Sequence, residues 1–215
     1  MQRIYAFSGL GADERVFGKL DLSGFELVHI SWIAPRRHED LESYVLRLAE
    51  HHRIPRQGAY VIGVSFGGIC ISQLAHYYDF AKIVLVSSAK TKDELPKLYT
   101  WTKFLPMDGP LSFLSRQKAN IATNWLFGAT DEEEKALLAA VIGDSDPTFT
   151  KWAIDAIRQW ENIRVPENCL HIHGDQDRII PIHNVDYSIR IRGGGHLMIW
   201  TKAAEISFPI RNFLL

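Results

Sequence analysis

The run Ile83-Val84-Leu85-Val86, set between Lys82 and Ser87, has no polar break. A strand with one wet face alternates apolar and polar residues, whereas a strand covered on both faces does not need to. Together with Val61-Ile62, this run predicts central strands of a sheet with helices on both sides. Four further segments read as strands: Arg3 to Phe7, Phe25 to Trp32, Cys169 to His173 and Tyr187 to Ile191, with Ala59 to Val64 and Lys82 to Ser87 making six. Helical patterns fall between them. Glu39 to His52 sets Leu41, Tyr44, Val45, Leu48 and Ala49 on one stripe, and Ile69 to Tyr78 and Lys202 to Phe213 repeat the pattern. Pro209 is expected to kink or stop the last helix, because it lacks an N–H and crowds the preceding turn. Alternation of this kind predicts a doubly wound, mostly parallel sheet of about six strands. Its functional edge is then at the carboxyl ends of the strands.

The rhythm breaks from Ala89 to about Arg164. This stretch has no strand-like run and reads as several short helices, the clearest being Thr130 to Ile142, whose acidic start at Asp131 to Glu134 suits the helix dipole. It carries Trp101, Phe104, Phe113, Trp125, Phe127, Trp152 and Trp160. Aromatics at helical spacing are more often core than ligand site. A long excursion inside a compact domain is nevertheless usually functional. The expected organisation is therefore a core of residues 1–88 and 165–215, with residues 89–164 inserted as a helical cap.

Gly63-Val64-Ser65-Phe66-Gly67 lies where a strand meets a helix. A serine on so sharp a turn needs small neighbours two residues to either side, and the turn lifts its hydroxyl clear of the backbone. A serine hydroxyl needs a base to become a nucleophile. His196, in Gly193-Gly194-Gly195-His196-Leu197-Met198, follows the last strand in a loop free to approach closely. Such a base needs a carboxylate to fix its tautomer. Asp175 and Asp177, just past the strand that ends at His173, both offer one. Spacing does not choose between them, since Gly174 makes a turn and breaks strand alternation.

These features resemble the α/β-hydrolase superfamily over nearly the whole chain. The resemblance rests on the serine elbow, on His173-Gly174-Asp175-Gln176-Asp177 as an H-G-x-x-D pattern, on Gly194-Gly195-His196-Leu197-Met198 as a late G-G-H-x-M segment, and on the order Ser65, Asp177, His196. It implies Asp177 as the acid and the backbone N–H groups of Leu10 and Phe66 as an oxyanion hole, with no cofactor. Ser8 stands where many relatives have histidine. The activity implied is hydrolysis of a small carboxylic ester, with thioesters next. C–C bonds, amides, lactones and acyl transfer are also within reach of such a triad, and a non-catalytic small-molecule receptor is the alternative on the same fold.

The run His171-Ile172-His173-Gly174-Asp175-Gln176-Asp177 also reads as a metal-ligand pattern, since His and carboxylate suit zinc or iron. That reading leaves the serine elbow unexplained, so no metal is expected. With 24 basic and 25 acidic residues and no basic runs, a nucleic-acid partner is not expected. A composition 47% hydrophobic supports a sizeable core. Met1 to Val16 has no basic start and is broken by Asp13-Glu14-Arg15, so neither a signal peptide nor a membrane span is expected, and the location implied is cytoplasmic. Cys70 and Cys169, each in an apolar run, read as reduced buried thiols, although a disulfide between them stays open.

Overall fold

The computed structural model describes residues 1–97 and 119–215. Trp101, Phe104 and Phe113 lie outside the described residues. Among the described residues six strands form one sheet in the order β2-β1-β3-β4-β5-β6. They are β1 (Gln2–Phe7), β2 (Phe25–His29), β3 (Tyr60–Val64), β4 (Lys82–Val86), β5 (Cys169–Gly174) and β6 (Ile189–Ile191). All five neighbouring pairs are parallel. Four strands begin and end within one residue of their sequence expectations. The second stops at His29 rather than Trp32, and the last shortens to three residues. Both are edge strands, where pairing on one side only gives less reason to extend.

The two faces of the sheet fill from alternate residues. Tyr5, Phe7, Val61, Ile83 and Leu85 pack with α1 (Leu41–His51) and α2 (Phe66–Leu74). Ile4, Ala6, Ile62, Val64, Val84 and Val86 face the other way. There they meet α6 (Met198–Thr201) and α7 (Ala203–Leu214), which bury Met198, Ile206, Ile210 and Leu214. This two-sided cover is the reason Val61–Val64 and Ile83–Val86 of the central strands carry no polar side chain.

Helix ends follow local chemistry. The Asp40 side chain caps α1 by accepting from the Ser43 N–H at 2.8 Å. The second helix begins at Phe66, directly after the serine, and stops at Leu74, so the expected span Ile69 to Tyr78 began too late and ran too long. Pro209 lies inside α7 without ending it. Ile206 and Ile210 are fully buried on either side, and that anchorage outweighs one missing hydrogen bond.

Between β4 and β5 the described residues form α3 (Ile121–Phe127), α4 (Glu132–Asp144) and α5 (Pro147–Gln159). A reciprocal capping box of Asp131 and Glu134 starts α4, and Asp146 with Pro147 starts α5. Phe149, Ala153, Ala156 and Trp160 of the α5 region share the core of α1 and α2. Trp152 packs partly against it, while Trp125 is exposed beside Arg178. Both cysteines are free thiols, and Cys169 is only partly buried. Among the described residues no helix is long and apolar enough to cross a membrane.

Candidate active site

Parallel strands bring all their carboxyl ends to one edge, and five loops there meet. They follow β1 (Gly9, Leu10), β3 (Ser65), β4 (Ser88), β5 (Asp177) and β6 (His196). The serine turn is possible only because its neighbours are small. A Cβ on Gly63 would fall 2.6 Å from the Gly68 amide nitrogen, and one on Gly67 would overlap the carbonyl oxygens of Phe7 and Ser8. Ser65 itself sits at φ 51° and ψ −118°, a region that non-glycine residues rarely occupy. Such a conformation costs on the order of 1–3 kcal/mol and persists only where its surroundings enforce it. Here they do. The Ser65 N–H donates to Val86 O at 3.1 Å, and the Ser88 hydroxyl donates to Ser65 O at 2.7 Å.

The hydroxyl oxygen of Ser65 lies 2.8 Å from His196 Nε2, and His196 Nδ1 lies 2.8 Å from Asp177 Oδ2. A carboxylate only accepts, so Nδ1 carries the proton and Nε2 is free to take one from the serine. The other oxygen, Oδ1, accepts from the Ile179 and Ile180 amides at 2.9 Å each. Asp177 is 5% exposed. Burial alone would raise its carboxyl, but His196, then His173 and the Ile180 N–H favour the charge, and the group is held below the usual carboxylate range.

Asp175 faces elsewhere. Its Oδ1 accepts from the Gly193 amide at 2.7 Å, and its Oδ2 accepts from the Arg190 guanidinium at 2.7 Å. Arg190 first, then the Gly193 N–H, lowers its carboxyl from the ordinary value. The geometry thus separates two acids that spacing left equivalent. Asp177 addresses the histidine; Asp175 ties its loop.

Leu10 and Phe66 line the same cavity as Ser65 and His196, and a Cβ on Gly9 would lie 3.7 Å from Ser65 Cβ. No hydrogen bond within the described residues uses the Leu10 or Phe66 amide. Two free donors beside the serine suit an oxygen that gains negative charge. Ser8 donates to Ala12 O at 2.7 Å and so braces the turn that carries Leu10.

Four contributors were not singled out by the sequence: Ser88, Phe127, Gly128 and His173. Ser88 fixes the serine turn from a different strand. Phe127 sets its ring edge-on to His196 at 5.5 Å, and its carbonyl accepts from the Leu197 amide at 3.0 Å. Gly128 and Gly195 meet so closely that a Cβ on either would fall 3.1 Å from the other's Cα. His173 lies fully buried behind Asp177. Only Gly128 gave a signal, as a glycine after a helical run. The metal-ligand pattern does not close: His171 and His173 aim at carbonyl oxygens and at each other. Among the described residues no group of three or more His, Cys, Asp or Glu side chains is arranged to hold a metal ion.

The cavity beside Ser65 is apolar. Among the described residues that line it only Ser65, Thr123, Ser145 and His196 bring polar side-chain atoms, and no Asp, Glu, Lys or Arg does.

A model of the alpha/beta hydrolase family matches residues 4–207. No curated protein sequence matches the chain. Among solved structures, an esterase from Exiguobacterium antarcticum superposes with a TM-score of 0.68 at 14% identity, covering 99% of this chain and 91% of that one. MenH from S. aureus does so with a TM-score of 0.69 at 15% identity, covering 99% and 93%. A bromoperoxidase from Bacillus anthracis gives 0.64 at 16% identity, covering 99% and 91%. Likeness at these identities is a likeness of fold.

Proposed function

The chain belongs to the alpha/beta hydrolase family, and from that premise we propose that it is a serine hydrolase acting on carboxylic esters with an apolar acyl group. One observation carries the reading: the unbroken contact from Asp177 Oδ2 through His196 to Ser65 Oγ, with both links at 2.8 Å. Hydrogen-bond reach between nucleophile, base and orienting acid is what acyl transfer by serine requires.

In the mechanism, Ser65 Oγ attacks the ester carbonyl carbon as its proton passes to His196 Nε2. The imidazolium is stabilised by Asp177, which keeps its charge. The carbonyl oxygen becomes an oxyanion and takes hydrogen bonds from the Leu10 and Phe66 amides. When the tetrahedral intermediate collapses, the C–O bond to the alcohol breaks and His196 protonates the leaving oxygen. Water then enters, gives its proton to His196, and releases the acid from Ser65 by the same steps in reverse. Helices α3, α4 and α5 act as a cap over the acyl group, and the uncharged lining selects a hydrocarbon chain, since an unpaired charge there would be desolvated without compensation. A MenH structure and an esterase share the fold, but the apolar lining is what favours an ester of a neutral acid here.

The test is Ser65→Ala, assayed on activated esters from acetyl upward. The expected outcome is a folded protein with nearly all turnover removed, leaving the small contribution of binding and oxyanion donors. Near-normal turnover in that variant would refute the assignment.

A further inference from the structure

His173 and His171 alternate on one face of β5, and neither takes part in the proposed chemistry directly. His173 is completely buried and His171 1% exposed. His173 Nε2 lies 2.8 Å from Ile180 O, and the same ring edge is 3.5 Å from Asp177 Oδ2. Both neighbours accept only, so Nε2 must carry a proton. Ile180 is therefore gripped at both ends of its backbone. Its carbonyl accepts from His173, and its amide donates to Asp177 Oδ1 at 2.9 Å.

The other nitrogen of His173 meets a second imidazole. Its Nδ1 faces His171 Nε2 at 3.3 Å, and His171 Nδ1 faces Asp186 O at 3.1 Å. Burial pushes both imidazoles below their ordinary range, His171 to about 3, so near pH 7 each is neutral and holds one proton. The Lys90 ammonium also donates to Asp186 O and pairs with Glu94 at 3.3 Å. With one proton per neutral ring and Nε2 protonated against Ile180 O, His173 Nδ1 is the bare nitrogen. The charged and titratable groups facing the pair are Asp177 and His196 on the site side and Lys90 and Glu94 on the far side.

We propose that His173 is a positioning residue for the reaction, holding the Asp177 loop through Ile180 and presenting an N–H edge to the oxygen that binds His196. This rests on the serine-hydrolase reading above. Asp177 Oδ2 thereby meets two imidazoles, one that reacts and one that does not. A second N–H edge spreads the carboxylate charge and keeps the proton of His196 from moving to the acid.

Two measurements test it. In the resting protein, nitrogen-15 NMR of the histidine rings should show His173 as the Nε2–H tautomer at pH 7. A His173 protonated at Nδ1 instead would overturn the proposal without any variant having to fold. In kinetics, His173→Leu should lower kcat about tenfold with KM unchanged. It should also move the acid limb of the kcat/KM profile upward by about half a pH unit, since Asp177 loses a partner. His173→Gln, whose amide nitrogen reaches where Nε2 stood, should recover most of the loss. A folded His173→Leu that is merely less heat-stable, with kcat and profile unchanged, would overturn the positioning role. The two failures are distinct: an active Ser65→Ala defeats the hydrolase reading, whereas an inactive Ser65→Ala with an unaffected His173→Leu defeats only this one.

Discussion

Asp175 and Asp177 are two residues apart and have no partner in common. Asp177→Asn should leave the fold intact and lower turnover by about 10^4-fold, because an amide at that place favours the wrong histidine tautomer. Asp175→Asn should keep turnover within about tenfold and cost stability instead, by about 1 kcal/mol for the weakened bond to the Gly193 amide. The pH dependence has a definite sign. The Asp175 carboxyl lies lower in the folded chain than in the unfolded one, so its contribution is complete above about pH 4 and is lost as the pH falls through the folded value. Denaturant titrations at pH 3 and pH 6 should therefore give a smaller difference for Asp175→Asn than for wild type, and an equal difference would discount the Gly193 and Arg190 contacts. At this scale the serine and the histidine were legible because glycine neighbours announce a tight approach. The choice of acid was legible through resemblance and through place in the loop, Asp175 lying next to the turn and Asp177 further out, since the turn after Gly174 removes the periodicity that would have assigned faces. Ser88 and His173 were not legible, because their partners come from other strands.

Among the elements, α4 has the most distinctive position. It lines the cavity through Leu137, Leu138, Val141 and Ile142, and its outer side is tied to the turn after β1 by Arg15–Asp144 and Lys19–Glu133, each at 2.7 Å. Exposed pairs of this kind contribute little individually. The apolar contacts of α4 are therefore what set its distance from Ser65. Ile142→Trp on α4 and Ile157→Trp on α5 should each reduce kcat/KM for acyl chains of roughly six carbons or more by about tenfold, while sparing acetyl esters. Chain-length profiles that stay superimposable on wild type would show that these side chains serve only the packing of α4 and α5. The sequence announced α4 through its acidic start but left the helix limits elsewhere uncertain. The start of α2 was hidden because a serine at φ 51° resembles no ordinary N-cap, and the persistence of α7 through Pro209 depends on burial that no local pattern records.

At the scale of the whole molecule, the sheet order β2-β1-β3-β4-β5-β6 scatters the site along the chain. Ser65 follows the third strand, whereas Asp177 and His196 follow the fifth and sixth. Parallel pairing across long connections forms slowly, because loop closure must precede the contacts that reward it. On refolding from denaturant, ester turnover should return with the slowest phase seen by tryptophan fluorescence, and turnover that precedes that phase would show the site assembling before the sheet is complete. The same order bears on synthesis. Chains leave the ribosome amino end first, at about 5–20 residues per second. On the proposed reading, Ser65 and the Leu10 and Phe66 amides emerge well before His196, the base for the serine. A nascent chain then displays a hydroxyl that is chemically dormant, and no acyl group is at risk from it until β6 has paired.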